Sequence, residues 1–209
     1  MTKIAYLYVL DTMADWESGF LIAELNTGRA FRKDAEKYTV RTVGITKEPV
    51  VTMGGVRILP DTGIDELTTA DAGVLILPGG DTWLEDIHNP LMEKVQEFLD
   101  AGILVAAICG ATMGLARAGL LDNRPHTSND LEFLKSVCPN YTGDKFYRHE
   151  DGILGGNIIT ASGIAPLEFT REVLKELDVL SPETLEAWYK LYATHESQYF
   201  YELMGSLGE

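Results

Sequence analysis

Cys109 is the side chain best placed to do chemistry. It follows Ile103–Ile108, an unbroken apolar run, short and rich in branched residues as a strand buried on both faces is. It precedes Gly110-Ala-Thr-Met-Gly-Leu-Ala116, which has a helical pattern. A cysteine at such a corner, with Ala107 and Ala111 two positions either side, matches the nucleophile elbow, where crowding leaves room for little else. The positive end of the following helix favours a thiolate, the form that attacks electrophiles. Free cysteine is also among the most buried residue types, so a core thiol is the competing reading. The small neighbours favour the reactive one.

Three other places offer groups that such a thiol needs. Glu17 falls in the first turn of a helix after the first strand, where an acid also pairs with the helix dipole. Gly79 and Gly80 end the strand Gly73–Leu77 after Pro78; they let backbone approach closely and offer a peptide N–H to an oxyanion. His126, in Pro125-His126-Thr127, lies where the chain returns to the sheet after the elbow helix. It is equally a partner for Cys109 or a hydrogen-bonded bystander.

The elements that must position these groups alternate. Strands are expected at Lys3–Leu10, Tyr38–Ile45, Gly73–Leu77 and Ile103–Ile108, with a Gly54-Gly55 hairpin between two short strands. Lys145–His149 and Gly156–Ala161 read as strands flanking an Asp151-Gly152 turn. Helices are expected from Trp16 toward Phe31 with Asp15 as N-cap, and over Pro90–Asp100. The elbow helix ends at Gly119. Further helices fall near Asn129–Val137 with Ser128 as cap, from Pro166 to Leu177, and from Ser181-Pro182 to Thr194. Such alternation gives an α/β fold with a mainly parallel sheet, whose ligands sit beyond the strands' carboxyl ends where strand order reverses. Glu17, Gly79-Gly80 and Cys109 follow three different strands at that edge.

The 209 residues suit one domain, residues 1–209, with a C-terminal helical extension over 181–209; no linker or repeat divides them. Hydrophobic content of 45% and charged content of 23% are ordinary for a globular chain. A net charge of −15 argues against nucleic acid and anionic membranes as partners. Two cysteines, no signal peptide and no membrane-length apolar run point to a reducing cytoplasm. A Cys109–Cys138 disulfide would consume the elbow thiol and is not expected. The four histidines lack ligand spacing, so no metal is expected, and no cofactor motif is present. The aromatic tail, Trp188 to Tyr201, is either an interface or a cover for the chain's own helices.

Ala14-Asp-Trp-Glu17, Leu77-Pro-Gly-Gly80, Ala106-Ala-Ile-Cys-Gly-Ala111, His126-Thr-Ser-Asn129 and Ile159-Thr-Ala-Ser-Gly163 together resemble the ThiJ/PfpI family, relatives of class I glutamine amidotransferases and of the Parkinson-disease protein. The resemblance runs from Ile4 to about Leu177. It implies a flavodoxin-like three-layer sandwich, a homodimer, and a nucleophilic Cys109 hydrogen-bonded to Glu17 with His126 nearby. Gly110 stands where the family's proteases carry histidine, and no late His-x-Glu of the amidotransferases is present. The resulting expectation is a cysteine-dependent hydrolase of peptides or small molecules, protease- or amidase-like. Cys109 would attack a carbonyl, Gly80 and Gly110 N–H groups would hold the oxyanion, His126 would shuttle the proton and Glu17 would position the thiolate. The alternatives implied are a glyoxalase or deglycase acting on 2-oxoaldehydes, and a redox-sensing chaperone.

Overall fold

The computed structural model describes residues 2–207; Met1, Gly208 and Glu209, the ends of the expected domain span, lie outside the described residues. Seven strands form one sheet: β1 (Thr2–Tyr8), β2 (Lys37–Gly44), β5 (Thr62–Gly63), β6 (Ala72–Leu77), β7 (Leu104–Ile108), β8 (Gly152–Gly155) and β9 (Ile158–Ala161). Their order is β5-β2-β1-β6-β7-β9-β8, and all neighbours are parallel except β8 and β9. β3 (Val50–Val51) and β4 (Arg57–Ile58) form a separate antiparallel hairpin around Gly54-Gly55. The flavodoxin-like α/β fold expected from the sequence is the fold observed.

Helices flank the sheet. α1 (Gly19–Thr27) packs on β2 and on α5 (Pro166–Glu176), which in turn packs against α6 (Pro182–Thr194), while α7 (Ser197–Ser206) lies on α6. α2 (Asn89–Asp100) and α3 (Gly110–Arg117) pack on β7, and α4 (Leu131–Val137) on α3. β6 and β7 are unbroken apolar runs because both faces are covered: Val74 to Leu77 and Val105 to Ile108 are all fully buried.

From β1 the chain moves to β2 on one side and then to β6 on the other, so the order reverses between β1 and β6. Glu17 follows β1, Gly79 and Gly80 follow β6, and Cys109 follows β7. The register brings these strand ends level, with Leu77 opposite Ala107 and Ile108 opposite Ala161. That edge is where an open α/β sheet leaves a crevice.

Five local expectations are corrected. Asp15 does not cap a helix; its carboxylate accepts from Thr52 Oγ1 and the Gly54 N–H, tying the β3–β4 hairpin to the loop after β1. α1 begins at Gly19 and stops at Gly28, whose left-handed backbone ends it before Phe31. Asp130, not Ser128, caps α4, accepting from the Phe133 N–H at 2.8 Å. Lys145–His149 is no strand: a 3-10 turn spans Asp144–Phe146, followed by one bridge between His126 and Tyr147. The antiparallel reversal falls at Gly155-Gly156 instead of Asp151-Gly152.

Candidate active site

The corner at Cys109 is tight. Its φ of 58° and ψ of −124° put a non-glycine residue in a conformation that costs on the order of 1–3 kcal/mol. The surroundings hold it there. The Cys109 N–H donates to Ala161 O at 3.0 Å, and its carbonyl accepts from the Thr112 N–H at 3.1 Å and Thr112 Oγ1 at 2.6 Å. Trp83 wedges behind α3. Its indole N–H donates to Pro78 O at 2.9 Å, and a methyl group at Gly110 or Gly114 would lie 2.9 or 2.6 Å from its ring.

Glu17 is completely buried beside this corner. Its Oε2 accepts from the Gly79 N–H at 2.5 Å. Its Oε1 is buried without a hydrogen-bond partner among the described residues and lies beside the Cys109 sulfur. Two glycines make room for this contact. A Cβ at Gly79 would lie 2.7 Å from Glu17 Oε2 and 2.8 Å from Cys109 Cβ. A Cβ at Gly163 would lie 2.6 Å from Cys109 Sγ and 3.1 Å from Glu17 Oε1. Ile159-Thr-Ala-Ser-Gly163 thus contributes a residue that sequence reasoning gave no role.

Burial raises the Glu17 carboxyl above the ordinary carboxylate range, opposed by the Gly79 N–H and by the thiol. The Cys109 thiol is pushed up to about 11, first by burial and also by the neighbouring Glu17 charge, while hydrogen bonds from Asn129 and the Gly110 N–H work downward. Both acids resist ionising in each other's presence.

Four of the expected residues meet here, and one does not. Glu17 and Cys109 lie side by side. The Gly110 N–H reaches Cys109, and the Gly80 N–H would lie 3.3 Å from a Cβ at Gly110, bonding to no protein acceptor among the described residues. Gly79 cannot serve an oxyanion, because its N–H is committed to Glu17. His126 is buried elsewhere, with Nδ1 donating to Arg124 O at 2.8 Å and Nε2 accepting from Tyr141 OH at 2.6 Å. Both ring nitrogens are taken, so the expected shuttle between His126 and Cys109 is not formed. The residue that reaches the sulfur is Asn129, three places on, with Nδ2 3.3 Å from Sγ. It belongs to a quoted motif, but an amide offers no titratable group to draw the eye.

The remaining thiol, Cys138, is buried and free, as Cys109 is free of any disulfide. Among the described residues, no cluster of three or more His, Cys, Asp or Glu side chains is placed to hold a metal ion, and no helix is long and apolar enough to cross a membrane.

The family model described as the DJ-1/PfpI family matches residues 3–176, a stretch that includes Glu17, Gly79, Cys109, Asn129 and Gly163. The chain belongs to the DJ-1/PfpI family. Among its DJ-1/PfpI relatives is a Bacillus subtilis protein named uncharacterized protease YoaZ, 54% identical over 206 residues, covering 99% of this chain and 98% of that protein. A second B. subtilis protein, named uncharacterized protease YdeA, is 34% identical over 185 residues, 88% of each chain. The crystal structure of a ThiJ/PfpI family protein from Bacillus anthracis superposes with a TM-score of 0.96 at 54% identity, covering 100% of this chain and 99% of that one. DJ-1/PfpI membership goes with the overall fold; the chemistry has to be argued from the side chains.

Proposed function

We propose that this DJ-1/PfpI chain is a cysteine-dependent hydrolase, protease- or amidase-like, in which Glu17 performs the proton transfers that the sequence suggested for His126. The carrying observation is the buried Glu17 carboxyl, one oxygen of it without a hydrogen-bond partner among the described residues, placed beside the Cys109 sulfur at the strained corner. One proton is shared by the pair. When it sits on Glu17, Cys109 is a thiolate facing the crevice. The sulfur attacks a substrate carbonyl carbon, forming a C–S bond, and the displaced electron pair comes to rest on oxygen. The Gly80 and Gly110 N–H groups stabilise that oxyanion, a contribution worth roughly 3–4 kcal/mol per donor in favourable cases. Collapse of the intermediate breaks the bond to the leaving group, which takes the proton from Glu17. Water then attacks the thioester, gives its proton to the carboxylate and releases the acid product with the thiolate restored. The protease names of the two B. subtilis relatives agree with this reading.

A second reading is favoured by the same carboxyl. A proton carrier beside a thiol, with no imidazole in contact, also suits a glyoxalase-type rearrangement. The thiolate adds to the aldehyde of a 2-oxoaldehyde, and Glu17 moves a proton between the two adjacent carbons. Water then releases the 2-hydroxy acid from the thioester. Wild type and Cys109→Ser, assayed with peptide, amide, ester and 2-oxoaldehyde substrates, separate the two. New N-termini or free amine support the hydrolase, and lactate from methylglyoxal supports the rearrangement. Equal turnover by Cys109→Ser on every substrate would overturn both.

A further inference from the structure

Asn129 stands exposed at the mouth of the crevice, and its amide cannot be turned round. Oδ1 accepts from the Gly163 N–H at 2.8 Å, and a carbonyl oxygen is the amide's acceptor end. The NH2 end is therefore the one that meets Cys109 Sγ at 3.3 Å. The segment carrying it is pinned along its length. The His126 ring is held by Tyr141 and Arg124, the Thr127 N–H donates to Thr160 Oγ1, Ser128 Oγ bonds Thr112 Oγ1, and Asp130 caps α4.

We propose that Asn129 is the residue that holds the Cys109 sulfur as a thiolate, by a donation whose direction the Gly163 N–H fixes. The inference rests on Cys109 being the nucleophile, and it narrows what the site can do. An imidazole here would both hold the sulfur and carry its proton. An amide only donates, so it favours the anion without taking part in proton transfer, and every proton moved at the sulfur passes through Glu17. Glu17 is the titratable group that acts on the thiol, and it acts in the opposite sense to Asn129, raising the thiol where Asn129 lowers it. Gly163 closes the arrangement, since its N–H sets the amide and its missing side chain leaves room for the sulfur.

The test is the pH dependence of iodoacetamide alkylation at Cys109, which needs no substrate and so stands whether or not any carbonyl compound is turned over. Asn129→Ala removes the donor. It is expected to move the alkylation profile, both rises together, up by about one pH unit, a tenfold loss of thiolate at a given pH below them. Asn129→Asp keeps the acceptor for Gly163 and the shape of the side chain, and replaces the donor by a negative charge. Its profile is expected to move up at least as far. Cys138 reports the fold in the same experiment, because it is buried and stays unlabelled while the chain is folded. A profile unchanged from wild type in either variant, with Cys138 protected, overturns the role. If Asn129→Ala exposes Cys138, Asn129→Asp alone decides.

Discussion

Glu17 has one oxygen bonded to the Gly79 N–H and another without a hydrogen-bond partner among the described residues, so a second negative charge on Cys109 is opposed by its neighbour. At an effective dielectric of about 20, two unit charges about 4 Å apart repel by roughly 4 kcal/mol, about a thousandfold in an ionisation equilibrium. Burial first, and after it a screened part of that repulsion, pushes the thiol to about 11 beside Glu17. Stability follows with a definite sign. The folded Glu17 carboxyl ionises at higher pH than the unfolded one, so its contribution is complete below the ordinary carboxylate pKa and is lost as pH rises through the folded value. Glu17→Gln, which keeps an oxygen for Gly79, is expected to raise the thermal midpoint at neutral pH and to match wild type below about pH 4. A variant less stable than wild type at neutral pH contradicts this sign. Cys109 was legible because its flanking pattern fixes a corner, and Glu17 because it follows the first strand, although it stands in the turn before α1 and not in the first turn of that helix. Asn129 was not, because its role depends on Gly163, which lies far along the chain.

At the scale of elements, the elbow helix is held by a wedge. Gly114 faces the Trp83 ring, and Trp83 cannot move aside, being bonded to Pro78 O and stacked on His88 with ring centroids 4.9 Å apart. Replacing glycine by alanine inside a helix ordinarily gains about 1 kcal/mol. Overpacking a filled core costs about 1–3 kcal/mol. A Cβ 2.6 Å from Trp83 Cε3 makes the second effect win, so Gly114→Ala is expected to lower the urea midpoint. An unchanged slope and a raised midpoint would show that Trp83 yields. The buried strands were legible from unbroken apolar runs, and α5 and α6 from a proline in each first turn. The misread pieces are polar. Asp15 has cap-like chemistry but spends its carboxylate on a hairpin nearly forty residues later, and Lys145–His149 carries strand-like aromatics of which Tyr147 packs against His126.

For the whole molecule, the aromatic tail now divides. Trp188 is fully buried and donates to Glu24 Oε1 at 3.0 Å, and Tyr192 packs on Phe20 and Trp188. Phe200, Tyr201 and Met204 on α7 remain exposed. A chain that covers its own helices this way should lose thermal stability when residues from Ser197 onward are removed, because the apolar surface of α6 is uncovered. Light scattering on the truncated chain is expected to keep the number of chains per particle that the intact protein has. A particle that falls to half that number at unchanged thermal midpoint would make α7 the interface of the homodimer suggested by the ThiJ/PfpI resemblance. The family frame was legible over most of the chain. Past residue 176, where the family model ends, α6 was legible from its own proline and the packing of α7 was not.

The most direct test of the proton shared by Glu17 and Cys109 is the rate of Cys109 alkylation against pH in wild type and Glu17→Gln. A pair that loses its protons in two steps gives wild type two rises, the upper near 11, with reactive thiolate already present between them. In Glu17→Gln the like charge and the second proton are both gone, so one rise remains, below 11. Superimposable profiles for the two proteins would contradict the shared proton and leave Glu17 as an acid that merely faces a helix terminus.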